Sequence, residues 1–193
     1  FPNYLKIIDI KAFKDFFKLK SVDMSTCNKL KEIKKSAFEY TVLENIDLSN
    51  CVNLIEIEES VFKNSILSTP IKRSKQDSVL LPNSLKVIKQ NAFNSSSLKY
   101  LDLSNCNKLE KIGNSAFENC KQLESVKLPG SLKDLGVEAF KLSKVKELDI
   151  SNCINLETIP EECFNLTLLK EVKLPKSIKY IKKSAFSATD LNR

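Results

Sequence analysis

Apolar residues return along this chain at fixed intervals. A phenylalanine preceded by a small residue occurs at Phe13, Phe38, Phe62, Phe93, Phe117, Phe140, Phe164 and Phe186, in steps of 25, 24, 31, 24, 23, 24 and 22 residues. An aliphatic residue stands eight positions before each: Leu5, Leu30, Leu54, Leu85, Leu109, Leu132, Leu156 and Ile178. Three positions further on comes another: Ile8, Ile33, Ile57, Ile88, Ile112, Leu135, Ile159 and Ile181. A third set reads LxxLxL, as in Leu43-Ile46-Leu48, Leu98-Leu101-Leu103, Leu123-Val126-Leu128, Val145-Leu148-Ile150 and Leu169-Val172-Leu174. Its last positions alternate apolar with polar, the period-two signature of a strand.

One short strand cannot bury its own apolar side, but stacked on copies of itself it can. The pattern predicts a single domain over residues 1–193, an α/β solenoid of about eight repeats with right-handed winding. It would carry one short parallel strand per ~24-residue repeat on the concave face. Segments such as KSAFE become short helices or turns on the convex face, with phenylalanine filling the core there.

The chain leaves each strand in one of two ways. One is S-x-C, at Cys27, Cys51, Cys106 and Cys153; the other is proline, at Pro82, Pro129 and Pro175. The two alternate along the later repeats. The outward strand position follows the exit: Asp23, Asp47, Leu80, Asp102, Lys127, Asp149 and Lys173. With strands ~4.8 Å apart, an Asp–Lys–Asp–Lys row from 102 to 173 forms a charge ladder, each opposite pair worth roughly 0.2–1 kcal/mol.

Composition narrows the chemistry. With 42% hydrophobic and 28% charged residues the chain is globular in character. Net charge is +7, but of 31 basic residues only Arg73 and Arg193 are arginine, the residue suited to bidentate phosphate and base recognition. No nucleic-acid partner is expected. Histidine is absent, which removes Ser-His and Cys-His couples and histidine-bound zinc. With three glycines and no phosphate loop, the chain reads as a non-enzyme without cofactor or metal. The six cysteines form no CxxC, and only Cys27 and Cys51 lie one layer apart, so free, mostly buried thiols are expected. Two glycosylation triplets, at Asn94 and Asn165, follow the phenylalanine slot, where exposed loops are expected.

One unit is irregular. An insertion near residues 65–78 carries Lys72, Arg73 and Lys75, a candidate private binding loop. The opening FPNYLKIIDIKAF aligns with residues 81–93 and the closing AFSATDLNR with 92–100. The array is therefore expected to be uncapped at both ends, with self-association through those ends as an option.

The LxxLxLxxCxxL stretch, followed by I-x-x-x-A-F as in LEKIGNSAFENCKQLESVKLPGSL, resembles the BspA-like class of leucine-rich repeats of bacterial and protist proteins. The resemblance covers essentially the whole chain and implies surface exposure and adhesion to host proteins or other cells. The expected function is a non-catalytic interaction module, cell-surface or secreted, binding a protein or glycan on a host or neighbouring cell. The concave candidates are Asn45, Asp47, Leu80, Tyr100, Asp102, Lys127, Glu147, Asp149, Glu171 and Lys173. The alternative is a cytoplasmic scaffold or regulatory domain, favoured by free thiols.

Overall fold

The computed structural model describes residues 1–44, 46–67 and 79–191. The Leu, Ile and Phe columns are its core, from Phe38 to Phe164 fully buried. Two strand ladders run along the chain, where the sequence pattern predicts one. The front ladder holds β3 (Ile46–Asp47), β5 (Val79–Leu80), β7 (Tyr100–Asp102), β9 (Ser125–Lys127), β11 (Glu147–Asp149) and β13 (Glu171–Lys173). The side ladder holds β1 (Ile7–Ile8), β2 (Glu32–Ile33), β4 (Glu56–Ile57), β6 (Val87–Ile88), β8 (Lys111–Ile112), β10 (Asp134–Leu135), β12 (Thr158–Ile159) and β14 (Tyr180–Ile181). All pairings are parallel. The side strands are two residues long and bring one aliphatic inward, too short a run to show alternation in the sequence.

We number layers by phenylalanine, one at Phe13 to eight at Phe186. From layer three on, each runs from front strand through exit turn and side strand to its phenylalanine.

The described residues contain no helix, which corrects the α/β expectation to a parallel β-solenoid. The phenylalanine segment is instead a chain of linked turns. The residues two before and two after each phenylalanine have positive φ, from Lys11 and Asp15 to Ser184 and Ala188. A left-handed residue on each side of the phenylalanine breaks helical continuity. It also turns alternate N–H groups toward the next layer. Lys11, Phe13 and Asp15 donate to the carbonyls of Lys35, Ala37 and Glu39 at 3.1, 2.8 and 2.9 Å, and later layers repeat the pattern. Inside this third ladder, neighbouring rings from Phe13 to Phe186 stack with centroids 5.1–5.6 Å apart. Such offset pairs add roughly 0.5–1.5 kcal/mol each beyond the area they bury.

The two exit turns explain the outward strand residue. Asp23, Asp47, Asp102 and Asp149 each accept, on Oδ1, the backbone N–H and the hydroxyl of the serine two positions on. Where proline occupies that serine's place there is no N–H to accept. Leu80, Lys127 and Lys173 stand there instead. The serine of each proline turn caps the layer before: Ser84, Ser131 and Ser177 donate to the carbonyls of Leu54, Leu109 and Leu156 at 2.8, 2.8 and 2.6 Å. An S-x-C layer and the proline layer after it therefore form one two-layer module. The front ladder is bridged in the same pairs, β3–β5, β7–β9 and β11–β13.

Candidate functional site

The front ladder presents outward side chains in fixed register. Tyr100 faces Ser125, and Asp102 faces Lys127. Glu147 faces Glu171, and Asp149 faces Lys173. The Lys127 ammonium donates to Asp102 Oδ2 at 2.9 Å. Lys173 reaches Asp149 at 3.6 Å and Glu171 at 3.8 Å. The Asp–Lys row is thus built from within-module pairs.

Burial alone would raise the Asp102 carboxyl, but hydrogen bonds from the Ser104 hydroxyl, Lys127 and the Ser104 N–H outweigh it and hold the group below its usual range. The Ser151 hydroxyl and N–H lower Asp149 in the same way. These aspartates are turn-forming groups, with at least one oxygen already committed. Asp47 is committed to Ser49 in the same way, and Leu80 is half-buried beside it in register.

Tyr100 and Glu147 are freer. The Tyr100 ring is half-buried, with the Lys99 ammonium 5.2 Å from its centroid. The Glu147 carboxylate has no hydrogen bond or ion pair among the described residues and lies opposite Glu171 in register. Like charges directly opposite cost stability. Asn45, Lys72, Arg73 and Lys75 lie outside the described residues.

A second charge row, on the side ladder, escaped the sequence reading. It runs Lys86, Glu110, Lys133, Glu157 and Lys179, the residue after each core leucine or isoleucine. Lys133 pairs with Glu110 at 3.0 Å and Lys179 with Glu157 at 2.8 Å, again within modules. The available signal was the switch, in the later repeats, from L-E after the S-x-C turns of Cys106 and Cys153 to L-K or I-K after the proline turns.

All six cysteines are free and buried, Cys27 and Cys51 included. Burial pushes the thiols of Cys106, Cys120 and Cys153 up to about 11 and that of Cys51 up to about 12, far from nucleophilic thiolates at neutral pH. Among the described residues, no group of three or more His, Cys, Asp or Glu side chains is placed to hold a metal ion. No helix among them is long and apolar enough to cross a membrane. The Asn94 triplet is not exposed as expected. Asn94 is 9% accessible and its amide donates to Glu118 at 3.0 Å.

A stack of short parallel strands on leucine columns defines a leucine-rich repeat solenoid. The chain matches the BspA type leucine rich repeat region in six copies, over residues 1–105 and 86–193, and belongs to that family. Its fold is similar to that of the pneumococcal vaccine antigen PcpA, at 18% identity and a TM-score of 0.52. That alignment covers 90% of this chain and 36% of PcpA, so the chain spans little more than a third of that protein's length. A leucine-rich repeat protein from Bacteroides ovatus aligns at 21% identity over 97% of this chain and 69% of its own, with a TM-score of 0.34. A leucine-rich cell surface protein from Faecalibacterium prausnitzii aligns at 19% identity over 97% and 68%, with a TM-score of 0.25. No curated protein matches the chain.

Proposed function

We propose that the chain is a non-catalytic adhesion module whose front ladder binds a protein or glycan on a host or neighbouring cell surface. The observation that supports this most is the outward row at Tyr100, Glu147 and Glu171. It holds a half-buried aromatic and, beyond Ser125, two acids set opposite each other at a cost in stability, on an extended regular surface. Asp102, Lys127, Asp149 and Lys173 frame that row and fix its register. Membership of the BspA-type family favours a surface or secreted setting. Six free, buried thiols favour the second reading, a cytoplasmic scaffold using the same face.

Antibody labelling of intact source cells separates the two. Labelling without permeabilisation is expected; labelling only after permeabilisation would sink the adhesion reading. On labelled cells, the double variant Tyr100→Ala/Glu147→Ala is expected to reduce attachment to partner cells or matrix. Unchanged attachment would remove the front ladder from the proposal.

A further inference from the structure

The boundary between layers six and seven opens into a cleft of about 550 Å³ on the side ladder, lined by Lys133, Asp134, Leu135, Asn155, Glu157 and Thr158. Its origin is chemical. In five of the seven side-ladder boundaries the N–H of the residue after the core leucine or isoleucine donates to its equivalent one layer back, as Lys31 does to Lys6 at 2.8 Å and Lys179 to Glu157 at 2.8 Å. Glu157 makes no such bond to the Lys133 carbonyl. The next donor down the ladder is also missing. Where Lys34, Lys89, Gly113 and Lys182 bond the layer before, layer seven has Pro160, which has no N–H for the Leu135 carbonyl. β10 and β12 are accordingly unbridged.

The lining sets the kind of ligand. Lys133 and Glu157 are engaged by Glu110 and Lys179 of the flanking layers. What remains is the Asp134 carboxylate and the Asn155 amide, both exposed and without partners among the described residues. With them come the Thr158 hydroxyl, the Lys133 carbonyl and the Glu157 N–H. One carboxylate is too little charge to select a polycation, and no free cation marks a polyanion site. The set is a close alternation of acceptors and donors, which suits vicinal hydroxyl groups. The volume falls in the range of small-molecule clefts, roughly 300–1,000 Å³.

We infer that this cleft is a binding site for a neutral carbohydrate, separate from the front ladder. Asp134 and Asn155 hold adjacent hydroxyls. An equivalent cleft between layers two and three, about 390 Å³, serves as an internal control. There the Asn53 amide is already donated to the Asn28 carbonyl at 2.6 Å, and Ile55 stands in place of Glu157.

The test is NMR of the whole chain with glucose, galactose, N-acetylglucosamine, lactose and maltose, each at about 10 mM, enough to populate a millimolar site. At least one sugar is expected to shift the backbone amides of 133–135 and 155–158 and leave those of 53–58 in place. Asp134→Ala and Asn155→Ala are each expected to weaken that sugar about tenfold or more. Both side chains are exposed, so dispersed spectra should confirm the fold. No shift with any of the sugars would overturn the inference, as would shifts that survive both substitutions. Binding of a heparin fragment or a lysine-rich peptide at the cleft in place of sugar would do the same. Tyr100 and Glu147 are untouched throughout, so a failure here does not bear on the adhesive face.

Discussion

The boundary between layers five and six and the one between six and seven join the same kinds of elements in opposite ways. The first is closed on every side. β7 pairs with β9 and β8 with β10. Ser131 caps Leu109, and Lys127 and Lys133 reach back to Asp102 and Glu110. At the second, neither strand ladder is bridged, and the phenylalanine side carries the join. There Glu138, Phe140 and Leu142 donate to Glu161, Cys163 and Asn165 at 3.1, 2.9 and 3.0 Å. The Phe140 and Phe164 rings stack 5.5 Å apart, and Lys141 lies between Glu138 and Glu162. A solenoid's stability is close to a sum of layer and interface contributions. This one is therefore a string of stronger and weaker interfaces: the front ladder is bridged only where a proline layer follows an S-x-C layer, and the side ladder, continuous from β4 to β10, stops at the layer that carries Pro160.

The harshest way to break the comparison is to remove the ring on which the weak boundary depends. Phe140→Ala is expected to cost about 3–5 kcal/mol, as large core truncations do. Urea unfolding should then split into two transitions, with layers seven and eight melting first. Phe117→Ala, beside the closed boundary, should cost as much yet keep one transition. Identical single transitions for both would show that the two interfaces are equally strong.

The closed boundary should be intolerant where its backbones meet. A Cβ on Gly136 would lie 2.3 Å from the Asn114 nitrogen and from the Gly113 carbonyl carbon. Gly136 does not have positive φ, so close approach alone requires the glycine. Gly136→Ala is expected to lose about 1–3 kcal/mol, read from the urea midpoint. A neutral result would mean that the layers can part there at no cost.

Pro160→Lys should close part of the open boundary by restoring an N–H opposite the Leu135 carbonyl. The bond is worth about 0.5–1.5 kcal/mol, and the lost proline rigidity offsets about 0.4–1. Net stability should hardly move, whereas hydrogen exchange should show a protected amide at position 160. A fast-exchanging amide there would put the cause of the opening elsewhere.

The ion pairs of the closed boundary matter least. Asp102 is depressed in the folded state. Its contribution is present above the ordinary carboxylate range, near ~3.9, and is lost as pH falls through the lower folded value. Lys127 is 67% exposed, so Lys127→Ala should cost only about 0.2–1 kcal/mol. It should also flatten the acid limb of the stability curve. An unchanged acid limb would mean that Ser104 alone holds the carboxyl down.

How much of this was legible depends on whether a residue acts within its own layer or between layers. The Phe, Leu and Ile columns recur in every layer and could be read directly, and so could the link between Asp and S-x-C. The reason for that link, an Asp–Ser turn that proline forbids, needed the hydrogen bonds. The turn ladder was hidden because its left-handed positions are filled by Ser36, Tyr40, Glu138 or Leu142, with no glycine to signal them. Leu142 and Leu166 take positive φ only because the stack above and below dictates it. The open boundary was written in Pro160, but a proline directly after a two-residue strand reads as ordinary turn punctuation.

Two hydroxyls flanking that boundary give the finest comparison. Thr167 donates to the Phe164 carbonyl at 2.8 Å, as Thr41 does to Phe38 at 2.9 Å. Ser143, one layer earlier in the same column, is buried, and its Oγ has no partner among the described residues. Removing a hydroxyl that makes its bond costs about 1 kcal/mol, whereas an unpaired buried one already costs stability. Thr167→Ala should therefore destabilise by about that amount, and Ser143→Ala should be neutral or slightly stabilising in urea unfolding. If Ser143→Ala lost as much as Thr167→Ala, the serine would have a partner such as a bound water. The phenylalanine side of the weak boundary would then be more fully hydrogen-bonded than its side chains show.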